Sequence, residues 1–224
     1  MNIPSSQQCL SLMVNHEMPA HIQEHSHQVA RIAVGLGRCL NRQGAGLNME
    51  LLEAGGLLHD IAKVHCLRTG ENHGLVGGRM VRQIGYPQVA HIVEDHVRIA
   101  VSDLQHPVTE SLVVNYADKR VKHTEVVSLE ERFGDLVERY AVTIERRDFL
   151  NRFLSLMLRV EDMIFADLEI QPADIAGWAR AMPSHGGILN APGSERQAYR
   201  RQTDSSVMNR VSAASHDNRW RLHG

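Results

Sequence analysis

Apolar residues recur every three or four positions along most of this chain, and period-two alternation is scarce. That pattern commits it to helices packed on helices. Ile22, Val29, Ala33, Leu36 and Leu40 mark one helical face. "GAG" (Gly44-Ala45-Gly46) breaks the pattern, and Asn48 is placed to cap a helix over residues 49 to about 64. Residues 73–84 read as the next helix. Gly85-Tyr86-Pro87 ends it, because glycine suits the turn after a helix and proline cannot continue one. Residues 88–97 and 109–121 follow as helices. "VTESLVVNYAD" contains the strand-forming pair Val113-Val114, but its helical neighbours decide for helix. Ser128, with Glu131 three residues on, caps a further helical region. Residues 135–165 carry Phe149, Phe153, Met157, Val160 and Ile164 at helical spacing, and Pro172 suits the first turn of a short helix through 181.

The expected fold class is all-α: one helical domain over residues 1–182, then a tail over 183–224. In the tail Ser, Gly, Pro, Asn and Arg are frequent and apolar periodicity is lost. Residues 195–224 hold six arginines against two aspartates and one glutamate, a local excess of +3. This reads as a loosely ordered basic tail.

With 224 residues the chain can bury a substantial core, and a formal net charge of −2 gives no whole-chain attraction to nucleic acid or anionic lipid. No specific nucleic acid or membrane partner is expected. No stretch approaches the roughly 20 apolar residues of a membrane-spanning helix, and the amino terminus lacks the basic and apolar regions of a signal peptide. Cys9, Cys39 and Cys66 form neither a disulfide ladder nor a paired zinc motif. The expected location is the cytoplasm.

Chemistry gathers at "LLEAGGLLHDIAKVH", residues 51–65. An apolar helix ends in His59-Asp60, whose side chains point about 100° apart if helical. One partner lying between those directions, such as a metal ion, would serve both. Imidazole with carboxylate suits Fe, Mn, Co, Ni or Zn. Gly55 lies one turn earlier, leaving room for a neighbouring helix or a ligand. Further donors follow the same theme: His25 in "EHSHQVARIA", His73 opening "HGLVGGRMV", His96 in "HIVEDHV" and Asp118 in "VVNYADKRV". Gly77 and Gly78 would keep the face beside His73 open. Lys63 shares the helix face of His59 and Asp60.

In order, these residues resemble the HD-domain superfamily of metal-dependent phosphohydrolases. "HSHQVARIA" is similar to its first helix motif, with His25 in the ligand position. "LLHDIAK" is similar to the motif that names the family, with Ala62 where one subgroup has glycine. Asp118 matches the last ligand, and His73 and His96 match the additional histidines of two-metal members. The resemblance covers about the first 120 residues. The stretch "NYADKRVKHTEVVSLEERF" is similar to members that act on nucleotides.

The resemblance implies an all-helical pocket with two divalent ions, of Fe, Mn, Co, Ni or Zn, magnesium also being admissible. His25, His59, Asp60 and Asp118 would build one site, and Asp60 would bridge to a second held by His73 and His96. The substrate would be a phosphorylated small molecule, foremost a nucleotide, hydrolysed at a phosphoester or phosphoanhydride bond. Lys63 would assist catalysis and bind substrate phosphate, with Arg79, Arg120 and Lys122 as further phosphate-binding candidates. Two other readings stand beside this one: an HD-type diiron oxygenase, which uses the same ligand types, and a non-catalytic regulatory module. Pairing of identical chains through exposed parts of the 135–165 helix is a further option.

Overall fold

The computed structural model describes residues 2–177. The basic tail expected over 183–224, and the last part of the helix expected through 181, lie outside them. The described chain is all-α, as its periodicity predicts. The helices are α1 (Ser6–Asn15), α2 (Ala20–Arg42), α3 (Met49–Leu58), α4 (Lys63–Thr69), α5 (His73–Gln83), α6 (Pro87–Asp95), α7 (Glu110–Lys119), α8 (Leu129–Tyr140) and α9 (Ile144–Phe165). Two short strands, β1 (Val121–Lys122) and β2 (Glu125–Val126), pair antiparallel between α7 and α8.

The apolar stripes become the core. Val29, Ile32 and Leu36 of α2 join Leu52 of α3, Val113 and Val114 of α7, Phe133 of α8 and Met157, Val160 and Ile164 of α9. A second cluster unites Cys9 and Met13 of α1 with Leu57 and Leu58 of α3 and Val89 and Val93 of α6. Helix α2 runs between the two clusters, contributing Ile22 and Ala30 to the second. Where α2 meets α3 the backbones nearly touch. A Cβ added to Gly56 would lie 2.5 Å from Ala30 Cα.

Two helices expected to be continuous are each split. The first ends at Leu58 because His59 Nδ1 donates to Gly56 O at 2.8 Å, using the carbonyl that the N–H of Asp60 would take in a continuing helix. Three-residue turns follow, from Ile61 N to Leu58 O and from Lys63 N to Asp60 O. The second break falls within 135–165. Ala141 leaves helical geometry, and the Thr143 hydroxyl accepts from Arg146 N–H, starting α9 anew. Gly55 leaves room for a neighbouring helix, as expected, and Ile92 of α6 takes it, whereas the face expected to stay open beside Gly77 and Gly78 is filled by Val93 and Glu94 of α6.

Candidate metal centre

Five elements deliver donors to one place, four of them at helix ends. His25 projects from the first half of α2, His59 caps the C-terminus of α3, and Asp60 follows it. His73 opens α5, His96 caps the C-terminus of α6, and Asp118 is the penultimate residue of α7. Helix ends suit the task, because the chain there can turn a side chain inward without interrupting a hydrogen-bonded ladder. All are buried except His73, which is half-buried. Local bonds set the placement. Asn72 Oδ1 accepts from the N–H groups of Gly74 and Leu75, fixing the start of α5 beside His73.

Three histidines are oriented in the same manner. Nδ1 of His25 donates to His123 O at 3.0 Å, that of His59 to Gly56 O at 2.8 Å, and that of His96 to Val93 O at 2.6 Å. A carbonyl can only accept, so each bond assigns the ring proton to Nδ1 and turns the Nε2 lone pair toward the centre.

The inward atoms form two triads. His25, His59 and Asp118 make one; Asp60, His73 and His96 make the other, with the ligand atoms of each within 4.8 Å of one another. Asp118 Oδ1 lies 3.0 Å from His25 Nε2 and 3.6 Å from His59 Nε2. Asp60 faces both groups: Oδ2 is 3.4 Å from His59 Nε2, while Oδ1 is 3.3 Å from His73 Nε2 and 3.7 Å from His96 Nε2. Donors about 2.1 Å from one ion stand roughly 3.0 Å apart at right angles and roughly 3.4 Å apart at tetrahedral angles. The observed separations are of that size.

The donor chemistry also asks for a cation. His59 Nε2 is buried and has no hydrogen-bond partner. Its approaches to Asp60 and Asp118 are ion-pair contacts too long for good hydrogen bonds. Burial alone would discharge this imidazole, but Asp60 and Asp118 outweigh it and raise its pKa to about 9. For His96 burial wins, and its pKa falls to about 4. Both carboxyls stay ionised against the cost of burial, Asp60 through Lys63 and His59, Asp118 through Lys119 and the histidines, and both sit well below the usual carboxylate range. An orphaned imidazole nitrogen between two buried carboxylates fits a divalent ion.

Comparison with known families points the same way. Residues 22–126 match the model of the HD domain. Over those residues the chain is similar to HD domains. HD domains bind divalent metals, and the two triads here are groups that could hold such ions. An uncharacterized protein of Methanocaldococcus jannaschii is 30% identical over 112 residues, covering 47% of this chain and 64% of its own. Ribonuclease Y of Fusobacterium nucleatum is 32% identical over 99 residues, 44% of this chain and 18% of that enzyme. Ribonuclease Y of Treponema denticola is 28% identical over 175 residues, 70% of this chain and 31% of that enzyme. The aligned part spans less than two thirds of each relative's length. No solved structure matches the chain.

The fold treats the four candidate phosphate-binding cations differently. Lys63 Nζ reaches Asp60 Oδ2 at 2.6 Å while its side chain remains 35% exposed. Arg79 is exposed and lies 3.6 Å from Glu71. Lys122 lies 3.5 Å from Asp135. Arg120 departs most from expectation. It is buried, and its guanidinium donates to Val127 O, Pro172 O, Glu161 and the Tyr116 hydroxyl. Those bonds tie α7, the loop before α8, and the end of α9 together, and leave it committed to the fold.

Two residues outside the sequence-predicted site support the centre. Lys119 is buried, donates to Asp118 Oδ2 at 2.5 Å and to His96 O at 3.1 Å, and so links the two triads. Asn115 is buried, and its amide donates to Asp95 O and Arg98 O, clasping the turn that carries His96. Their partners there are mostly backbone carbonyls, which no sequence pattern advertises.

Proposed function

We propose that this chain is a metal-dependent phosphohydrolase with a two-metal centre, hydrolysing a phosphoester or phosphoanhydride bond, foremost in a nucleotide. The observation that carries this reading is Asp60, whose two carboxylate oxygens face different histidine groups. His25, His59, Asp60 and Asp118 would hold one ion, and Asp60, His73 and His96 the other. The mixed imidazole and carboxylate set suits Fe, Mn, Co, Ni or Zn. Such ions supply an activated water near neutral pH and offset charge building on a phosphoryl group.

The chain's own residues do the rest. The Nδ1 bonds hold three imidazoles in the coordinating tautomer. Lys119 fixes Asp118, leaving Oδ1 for the centre. Lys63 holds Asp60 and, with its partly exposed ammonium, binds a substrate phosphate and stabilises its negative charge. The two relatives named ribonuclease Y bring a phosphodiester into the range of candidate bonds.

No helix among the described residues is long and apolar enough to cross a membrane. Cys9, Cys39 and Cys66 are free thiols, which suits a reducing compartment, and we place the chain in the cytoplasm.

The test is to load the purified chain with each metal, measure bound metal, and screen phosphomonoesters, phosphodiesters and nucleotides. Asp60→Asn should lose both metal and hydrolysis, whereas Lys63→Gln should keep metal and lose rate. Hydrolysis that persists in Asp60→Asn at full rate would sink the reading.

A further inference from the structure

Beside the metal centre, positive charge converges on one carboxylate. Asp135 of α8 has Oδ1 at 2.8 Å from Arg139 and 3.5 Å from Lys122, and Oδ2 at 3.2 Å from Arg132. Three cations share one anion, a local excess of two positive charges. Arg132 Nε is buried and has no hydrogen-bond partner. Arg139 also lies 3.2 Å from His123 Nε2. Like charges held this close repel, so the arrangement calls for another anion.

Its position relative to the centre is set by His123. This residue has φ 57°, uncommon outside glycine. Its carbonyl accepts from the His25 ring while its own ring meets Arg139. One residue therefore touches both a proposed metal ligand and the cationic group.

We propose that Lys122, Arg132 and Arg139, gathered on Asp135, form a subsite for a second phosphate of the substrate, next to the phosphoryl group at the metal centre. The proposal rests on the phosphohydrolase reading and deepens it: the substrate carries more than one phosphate. Guanidinium groups match phosphate oxygens in pairs. Asp135 keeps the cations assembled when no phosphate is there.

Adjacent phosphates occur in phosphoanhydride chains and along phosphodiester backbones. The test uses the full chain loaded with Mn²⁺, hydrolysing bis(p-nitrophenyl) phosphate. Orthophosphate, tripolyphosphate and a thymidine dinucleotide with a terminal phosphate serve as inhibitors. Tripolyphosphate or the dinucleotide should inhibit more tightly than orthophosphate, and whichever does so names the source. In Arg132→Gln/Arg139→Gln that preference should fall by about ten-fold. Asp135→Asn, which frees the arginines, should raise it by about three-fold, a gain that mere damage to the fold would not produce. A preference unchanged in both variants overturns the subsite. If the loaded protein hydrolyses no phosphomonoester, phosphodiester or nucleotide, the phosphohydrolase reading fails by itself. The same anions are then titrated by calorimetry, and affinities insensitive to both variants overturn the subsite independently.

Discussion

His25 Nε2 and Asp118 Oδ1 stand 3.0 Å apart, although 93 residues separate them in the chain. This contact joins α2 to the end of α7, and it exists only because the apolar stripes of both helices share one core. Asp118 gives its other oxygen to Lys119 at 2.5 Å, so a buried cation and a proposed metal ligand depend on one carboxylate.

Removing that carboxylate should expose the dependence. Asp118→Asn leaves the Lys119 ammonium buried without its anion, and we expect a loss of about 3–5 kcal/mol in metal-free protein. Asp118→Asn/Lys119→Met should recover much of the stability and none of the metal. Denaturant unfolding and metal analysis of both variants check this. Equal stability of the single and double variants would contradict it.

Proton release should accompany metal binding. In the metal-free protein His59 keeps a proton up to about pH 9. An ion at its Nε2 must therefore displace about one proton near pH 7.5, and affinity should rise with pH up to about 9. Calorimetric titration in buffers of different ionisation enthalpy counts that proton. A buffer-independent heat would argue against His59 as a ligand.

The stability of the metal-free protein should carry two opposed pH dependences. The pKa of His59 is raised above its ordinary 6.5, so its contribution is full below about 6.5 and is lost as pH rises through about 9. His96 is lowered to about 4, so its contribution is full above about 6.5 and is lost as pH falls through about 4. Denaturant midpoints should fall on both sides of about pH 6.5. His59→Gln should flatten the alkaline side and His96→Gln the acidic side.

Asn115→Ala should loosen the turn that carries His96. Losing a bond that orients a metal ligand costs about 10–100-fold in metal affinity. The ion proposed for the Asp60, His73 and His96 triad should be lost first, so the metal content of a two-ion centre should fall toward one. Simultaneous loss of both ions would deny Asn115 this selective role.

Gly56→Ala tests the approach of α2 to α3. The added Cβ would meet Ala30 Cα at 2.5 Å, and backbone cannot swing aside as a flexible side chain can. A loss of about 1–3 kcal/mol is expected from thermal or denaturant unfolding. Gly44→Ala is the contrasting control: nothing crowds its Cβ, but its φ of 88° strains alanine, and its effect should stay local to the turn after α2.

The all-helical architecture was legible because periodicity near 3.6 is a property of local sequence. So were the caps at Asn48 and Ser128, whose side chains bond to nearby N–H groups. The breaks after Leu58 and at Ala141 were less legible, since their residues tolerate helix. One break depends on a histidine ring turning back to Gly56 O. The space beside Gly77 and Gly78 was read as open for the same reason: sequence shows a missing side chain but not the helix that fills the gap.

By itself the sequence determined a helical chain and an ordered set of His and Asp donors, because both are written in residue type and spacing. Tertiary structure alone decided which donors group together, that Asp60 faces two of the groups, and that Arg120 belongs to the fold while Lys63 stays near the centre. It also recruited Lys119 and Asn115, and it assembled three cations around Asp135. The physical reason is common to all of these. A charge or an imidazole has no assigned partner along the chain. Its partner is whatever packing brings within about 3–4 Å.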